Sequence, residues 1–440
     1  MSTGDEHQKS DSGRGNSELL TLFLCGDVMT GRGIDQILPH PSHPEIHEGY
    51  IKDATGYVDL AERVNGPIPR GVDPAYIWGD AIGELERVKP DVKIINLETS
   101  VTRSDDYWKG KGINYRMHPE NIGSITAAGI DICSIANNHV LDWGYAGLRE
   151  TLETLRKAKI RWAGAGMDLS EAQAPAFFEV EGKGRVVLFA FGSPSSGVPV
   201  NWGAAEQKPG INLLSGYSDE SIMRIRERVE RVKRARDVVV FSVHWGGNWG
   251  YGVPEGEVEF AHRLIDDAGV DLVYGHSSHH AKGIEVYRER LILYGCGDFL
   301  NDYEGIGGYE GFRDDLSLMY FADFNTLTGR LVRLEMRPTK IKNFRVNLAS
   351  REDARWLADV LDREGKSFGT RVKKGRDNVL TLQWGESRGD HSSTPDRSHS
   401  VPEYLLSHER LDGPMSRIDR KTQSQRFRNL RMLPARIAQV

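Results

Sequence analysis

Five hydrophobic runs in this chain each end in a short polar cluster, and that pattern limits the folds open to it more than any other feature. The clusters are Gly26-Asp27, Asn96-Leu97-Glu98, Asn137-Asn138-His139, His244-Trp245-Gly246 and Gly275-His276-Ser277-Ser278-His279. Apolar stretches such as Leu20 to Cys25, Val92 to Asn96, Ile132 to Ala136 and Val238 to Val243 read as short buried strands. Helical spacing appears between them, as in Gly147 to Ala158, whose Leu148, Leu152 and Leu155 fall on one face. Strands alternating with helices favour an α/β layer fold. Such folds bind their ligands beyond the carboxyl ends of the strands, which is where all five clusters lie.

Carboxylates and imidazoles gathered on one sheet edge suit divalent first-row cations. Asp27 is placed to be a ligand at the end of the first strand, although a turn or cap would also explain it. Glu98 ends the second strand in the same way, and its carboxylate could bridge two metals. Two amides and an imidazole are poor strand formers, so Asn137-Asn138-His139 at the end of an apolar run asks for a reason. The Asn138 amide oxygen can ligate a metal and leave His139 as a proton donor to a leaving group. Asp142, three residues on, could orient the His139 ring, or simply cap the next helix. His244 follows the run Val238 to Val243, and His276 and His279, three residues apart after another strand, could reach a common centre from one loop. Arg32, in the Gly31-Arg32-Gly33 loop, could clamp an anionic substrate group, the plainer reading being a surface arginine. One such histidine alone is more simply structural; their joint occurrence at strand ends reverses that preference.

Composition sets the outer bounds. Hydrophobic residues at 39% and charged residues at 27% are ordinary for a globular protein. A formal net charge of -6 gives no basic field for nucleic acid, so none is expected as a partner. No apolar stretch reads as a signal peptide or a transmembrane segment. Cys25, Cys133 and Cys296 each lie in or beside an apolar run and read as reduced core residues, which points to the cytoplasm.

Four segments are expected along the chain: a disordered start (1–18), a main domain (19–340), an extension of helix and strand (341–385), and a polar then basic tail (386–440). Pro39 to Pro74 reads as a long excursion with little regular structure. Tyr76 to Val88 and Glu120 to Ala128 read as helices. The consecutive strands after Gly283 suggest a second, more antiparallel sheet. Ser350 to Arg363 reads as a helix with Ser350 as N-cap and Asp353 at the capping-box position. The Arg-rich stretch from Arg417 to Arg436 reads as a solvated extension, with a basic amphipathic helix at the inner face of the membrane as the alternative.

Several motifs together resemble the CapA family, which is associated with capsular poly-γ-glutamate synthesis and related to calcineurin-like metallophosphoesterases. They are Gly26-Asp27-Val28-Met29-Thr30-Gly31-Arg32, Asn96-Leu97-Glu98, Ala136-Asn137-Asn138-His139 with Asp142 and Gly144, His244-Trp245-Gly246, and Gly275-His276 to His279 followed by Leu293 to Phe299. The match runs from about residue 20 to 340 and looks most similar to members described as polyglutamine synthesis accessory proteins. The resemblance implies a four-layer α/β/β/α sandwich of metallophosphoesterase type with two divalent metals. In that pattern Asp27 and His279 would serve one metal, Asn138, His244 and His276 the other, with Glu98 bridging and His139 as acid. Mn, Fe, Zn and Co all accept such donors.

Two departures stand out. Met29 occupies the place of a ligand histidine, and the bridging carboxylate is Glu98 rather than an aspartate. The function implied is a metal-dependent hydrolase or transferase of polyglutamate or polyglutamine metabolism, working with envelope polymer synthesis machinery. A non-catalytic accessory protein that keeps the fold and a general phosphoesterase acting on a phosphorylated small molecule are the alternatives.

Overall fold

The computed structural model describes residues 18–385. Two sheets form its frame. The larger runs in the order Thr370–Lys374, Leu380–Trp384, Arg330–Ile341, Leu316–Asn325, Leu19–Val28, Val92–Leu97, Ile132–Ser134, Arg161–Ala163, with Asp298–Leu300 paired to Leu19–Val28 and Val346–Leu348 to Arg330–Ile341. The smaller has the order Ile284–Tyr287, Arg290–Leu293, Leu272–His276, Asp237–His244, Gly184–Gly192, Ala176–Val180. The strands that carry the polar clusters are parallel to their neighbours among these runs.

Period-2 alternation explains why the sheets stack. Leu20, Leu22 and Leu24 point one way and meet Val186, Leu188, Val238 and Val240 of the smaller sheet in a shared apolar layer. Phe23 and Cys25 point the other way, into a layer with Val58, Leu85, Leu148, Leu152 and Leu155 from helices. On the far side, Val187, Phe189, Val239 and Phe241 pack on Ile222, Ile225 and Val229 of helix Asp219–Val232 and on Phe260 and Leu264 of helix Glu255–Asp266. The result is the α/β/β/α sandwich expected. Each fully buried Leu, Val or Phe in these layers stabilises the fold by about 1.5–3 kcal/mol.

Some local expectations change. Residues 39–74 contain the helix Thr55–Asn65, which buries Tyr57, Val58 and Ala61 and leaves charged residues outward. That narrow apolar face is diluted by the Pro, Gly and His around it. Tyr76 to Val88 is broken into a 3₁₀ turn, Tyr76–Trp78, and a helix, Ala81–Val88, because Gly79 sits at φ 48°. Glu120 to Ala128 is likewise a 3₁₀ turn, Pro119–Ile122, running into a short helix, Gly123–Thr126.

The strands after Gly283 do not make a sheet of their own. Ile284–Tyr287 and Arg290–Leu293 complete the smaller sheet, while Leu316–Asn325 and Arg330–Ile341 extend the larger one. Alternation marks a strand but not its partner.

Ser350 does cap its helix, accepting from the Asp353 amide at 3.1 Å. That helix, Arg351–Gly365, sends Leu357 and Leu361 into the layer between the sheets, and Thr370–Lys374 and Leu380–Trp384 edge the larger sheet. All three cysteines are free and buried. Among the described residues no helix is long and apolar enough to cross a membrane. The expectations for residues 1–17 and for the tail, Arg417 to Arg436 included, lie outside the described residues.

Candidate metal centre

Two Gly-Asp pairs bring strands of the larger sheet together. Asp27 lies opposite Asp298 in parallel register and also opposite Asn96. The backbones approach so closely that a Cβ on Gly26 would sit 1.9 Å from the Gly297 carbonyl oxygen, and Gly297 itself holds φ 79°. A side chain at Gly26 would therefore push the two aspartates apart. In the smaller sheet His244 lies opposite His276, so two imidazoles leave adjacent strand ends side by side.

These strand ends converge on one buried centre with two groups of donors. Asp27, His244 and His276 have ligand-type atoms within 4.8 Å of one another, and so do Asp27, Glu98 and Asp298. Asp27 belongs to both groups. Its Oδ1 accepts from the Asn96 amide at 2.7 Å, and its Oδ2 accepts from the Ser277 backbone amide at 3.0 Å. Ser277 holds φ 103°, a strained value for a residue other than glycine, and the turn it makes aims that amide at Asp27. His276 Nε2 is bonded to Ser242 Oγ at 2.7 Å, which leaves Nδ1 facing His244 Nδ1 at 2.8 Å and Asp27 Oδ1 at 3.8 Å. Asn138 Oδ1 meets the other nitrogen of His244 at 3.0 Å.

The electrostatics show what the centre lacks. Burial, and then Asp298, push the Asp27 carboxyl up to about 7. Glu98 is raised well above its ordinary range by burial, then by Asp27 and Asp298. Burial drops His276 to about 3 and carries His244 well below 6.5, so both rings are neutral and keep a lone pair for a metal. Glu98 is only 5% exposed; its carboxyl lies within hydrogen-bonding reach of that of Asp27, and His139 Nε2 and His244 Nε2 stand 3.8 Å away. Buried carboxylates facing one another are costly unless a proton or a cation compensates them. Neutral imidazoles, an amide oxygen and three clustered carboxylates fit divalent metal ions.

His139 stands at the rim of this centre with its partners behind it. Its Nδ1 meets Asp142 Oδ2 at 2.6 Å and Lys111 Nζ at 2.9 Å, and its ring stacks on Tyr115 at 3.8 Å. Lys111 also donates to Asp142 Oδ1 at 2.5 Å, and the Tyr115 amide donates to Asp142 Oδ2 at 2.7 Å. Burial, and then the Lys111 charge, hold the His139 ring well below 6.5, while burial raises Asp142 to about 7. Asp142 thus touches the ring as expected, and the free Nε2 faces Glu98.

Two residues, Arg32 and His279, are placed differently from the sequence reading. Arg32 is buried and committed: its Nη1 donates to Glu48 at 3.1 Å and to Tyr57 Oη at 2.8 Å, and its Nε and Nη2 form a fork on Asp302. With Tyr57, Tyr115 and Tyr303 stacked around it, the guanidinium has no open side for a substrate anion. His279 spends its Nδ1 on both oxygens of Asp298, at 3.0 Å each, and neither of its nitrogens joins the two donor groups. Burial pulls its pKa down, but Asp298 more than offsets this and raises it. Met29 is buried, and its sulfur accepts from the Gly31 amide at 3.2 Å.

The sequence reading did not select Asp298, Lys111 or Tyr115. For Asp298 a signal existed, since Gly297-Asp298 after an apolar run repeats Gly26-Asp27. Nothing in the polar stretch around Lys111 marks it.

Residues 21–303 match the model of the bacterial capsule synthesis protein family, PGA_cap. The chain belongs to this family. A Mycobacterium tuberculosis member, named a probable polyglutamine synthesis accessory protein, is 46% identical over 369 residues, covering 84% of this chain and 97% of that protein. The PGA biosynthesis protein CapA of Bacillus subtilis is 26% identical over 316 residues, 72% of this chain and 70% of its own. Among solved structures, a phosphatase from Mycoplasma pneumoniae aligns over 73% of this chain and 93% of its own, at 12% identity and a TM-score of 0.41.

Proposed function

We propose that this PGA_cap member acts in the synthesis or localisation of a polyglutamate or polyglutamine envelope polymer, as a metal-dependent hydrolase or transferase. The bond attacked is a glutamyl amide or a phosphoryl ester. The observation that carries this reading is the pair of buried donor groups sharing Asp27, in a chain whose relatives are named for polymer synthesis. Divalent cations held by Asp27, Glu98, Asn138, His244, His276 and Asp298 would supply Lewis-acid activation of water and of the bond to be broken.

The chain's own residues supply orientation and proton handling. Ser242 fixes the His276 ring, and Asn96 and Ser277 fix Asp27, so the donors keep their directions without a ligand. Asp142, Lys111 and Tyr115 hold His139 by its Nδ1 side, leaving Nε2 as the atom that can exchange a proton where the bond breaks. The aromatic ring of Tyr115, stacked on the imidazole at 3.8 Å, fixes the plane of that ring.

Purified protein tested for metal content, together with a hydrolysis screen of phosphoesters and glutamyl peptides, checks this reading. Bound divalent metal, and an activity lost in His139→Ala with metal retained, is the expected result. Protein that binds no metal above trace, with chelator changing neither stability nor activity, defeats it.

A non-catalytic accessory role is favoured by two specific features: Met29 at a ligand position and an Arg32 that cannot reach an anionic substrate. A well-folded His139→Ala protein that still complements a deletion strain would support that second reading.

A further inference from the structure

We infer that the hydroxyl pair of Tyr115 and Tyr303 is the oxyanion donor of this centre, with Tyr303 presenting its O–H to an oxygen of the bound substrate. This rests on reading the centre as a catalytic metal site, and it names the group that meets negative charge as it develops on the substrate.

Two hydroxyls bonded to each other use only one of their two protons. The Tyr115 and Tyr303 hydroxyls lie 2.7 Å apart, and among the described residues neither meets a further hydrogen-bond partner. Burial holds both phenols well above their ordinary range, so each keeps its proton at neutral pH. One O–H serves the contact between the rings, which leaves the other to donate elsewhere. Tyr115 is 2% exposed and Tyr303 is half-buried. The arrangement that strands no buried proton has Tyr115 donating to Tyr303 and Tyr303 donating outward.

The two rings bracket the centre. Tyr115 stacks on His139 at 3.8 Å, and Tyr303 meets His279 edge-on at 5.4 Å. Asn301, which donates to Asp298 Oδ2, also accepts from the Tyr303 amide at 3.1 Å, so one residue holds both in place. The Glu98 charge bears on both phenols.

Arg32 acts on a ligand only through these rings. Its guanidinium carbon lies 4.7 Å from the Tyr115 ring centre and 5.6 Å from that of Tyr303, and its charge works against burial to ease the loss of either proton. A phenol polarised by a nearby cation is a stronger donor, and a second hydroxyl donating to it adds to the effect. Such a donor acts most strongly on an oxygen that gains negative charge as a bond breaks.

Inorganic phosphate, titrated calorimetrically into metal-loaded full-length protein, reports the donor without requiring turnover. Tyr303→Phe should weaken phosphate binding by about 10–100-fold, as expected for a lost hydrogen bond to a charged group, with metal content unchanged. Tyr115→Phe should weaken it by less than about fivefold, because Tyr303 keeps its proton and loses only the polarisation. Urea unfolding of each metal-free variant checks that it is folded. A Tyr303→Phe protein that binds phosphate as the wild type does would overturn the proposal and leave the pair a structural contact. Loss of metal from Tyr303→Phe would also overturn it, since the spare proton then serves Glu98 or Asp298. A larger loss of phosphate affinity in Tyr115→Phe than in Tyr303→Phe would overturn Tyr303 as the donor. A wild type that holds metal and binds no phosphate would overturn the proposal and leave the metal-dependent reading standing, whereas a wild type that holds no metal would overturn both.

Discussion

Two buried charged clusters sit side by side in this molecule, and they are balanced in different ways. Around Arg32, the guanidinium is forked on Asp302, bonded to Glu48 and packed between tyrosine rings, and with Gly33 and Tyr57 it puts a donor on every oxygen of both carboxylates. Around Asp27, three carboxylates face each other: burial and Asp298 raise the affinity of Asp27 for a proton, and burial, Asp27 and Asp298 raise that of Glu98. The first cluster has the form of a structural brace and the second that of a receptor for added charge. Tyr115 and Tyr303 join them, their hydroxyls 2.7 Å apart, with Arg32 on one side and His139 on the other.

The contrast can be broken by experiment. Arg32→Ala should have the largest effect on stability, a loss of about 3–5 kcal/mol, because it leaves Glu48 and Asp302 buried without a cation. Urea unfolding of the metal-free protein measures it, and a change under 1 kcal/mol would remove the idea of a brace.

The second cluster should show the opposite behaviour, through pH. Asp27 holds its proton up to about 7 in the folded state, against 3.8 ordinarily. A carboxyl raised in this way contributes stability that is full below about pH 4 and is lost as pH rises toward 7. In the metal-free protein that loss should be on the order of a few kcal/mol. Asp27→Asn should flatten the slope. A metal-free wild type whose Tm climbs steadily from pH 4 to 7 would contradict this account of the cluster.

Added cation should supply what the cluster lacks. At about 100 times Kd, one bound metal stabilises the folded state by about 2.7 kcal/mol. A thermal shift series with Mn²⁺ or Zn²⁺ reads this directly, and Arg32→Ala should keep the shift while Asp27→Asn loses it.

The smallest effect is expected at the junction. Lys111→Met should reduce activity about 10–100-fold, the range typical for residues that orient a working group, with metal content unchanged. Lys111→Arg should restore part of it if the positive charge on Asp142 is what matters. Equal loss in both would point instead to packing against Trp202, over whose ring Lys111 lies.

Much of the centre was legible in the sequence because strand termini carry a strong local signal. An apolar run that stops at Asp, Glu or His both defines the strand and names the residue at its end. Asp27, Glu98, His244 and His276 were read in this way, as was the contact between Asp142 and His139. Arg32 was misread for a related reason: a Gly-Arg-Gly loop looks open, and its partners Glu48 and Asp302 lie 16 and 270 residues away. Asp298 went unselected because its strand is only three residues long and gains its meaning from pairing with the first strand.

By itself, then, the sequence determined the layer fold, the helix cap at Ser350 and the chemical type of most donors. These depend on local spacing, which the chain carries within a few residues. The tertiary structure alone decided which donors stand together, that Asp27 rather than Glu98 belongs to both groups, and that Arg32 is locked away. Those outcomes depend on strand register and on which sheet each late strand joins, and both are settled by packing between segments hundreds of residues apart.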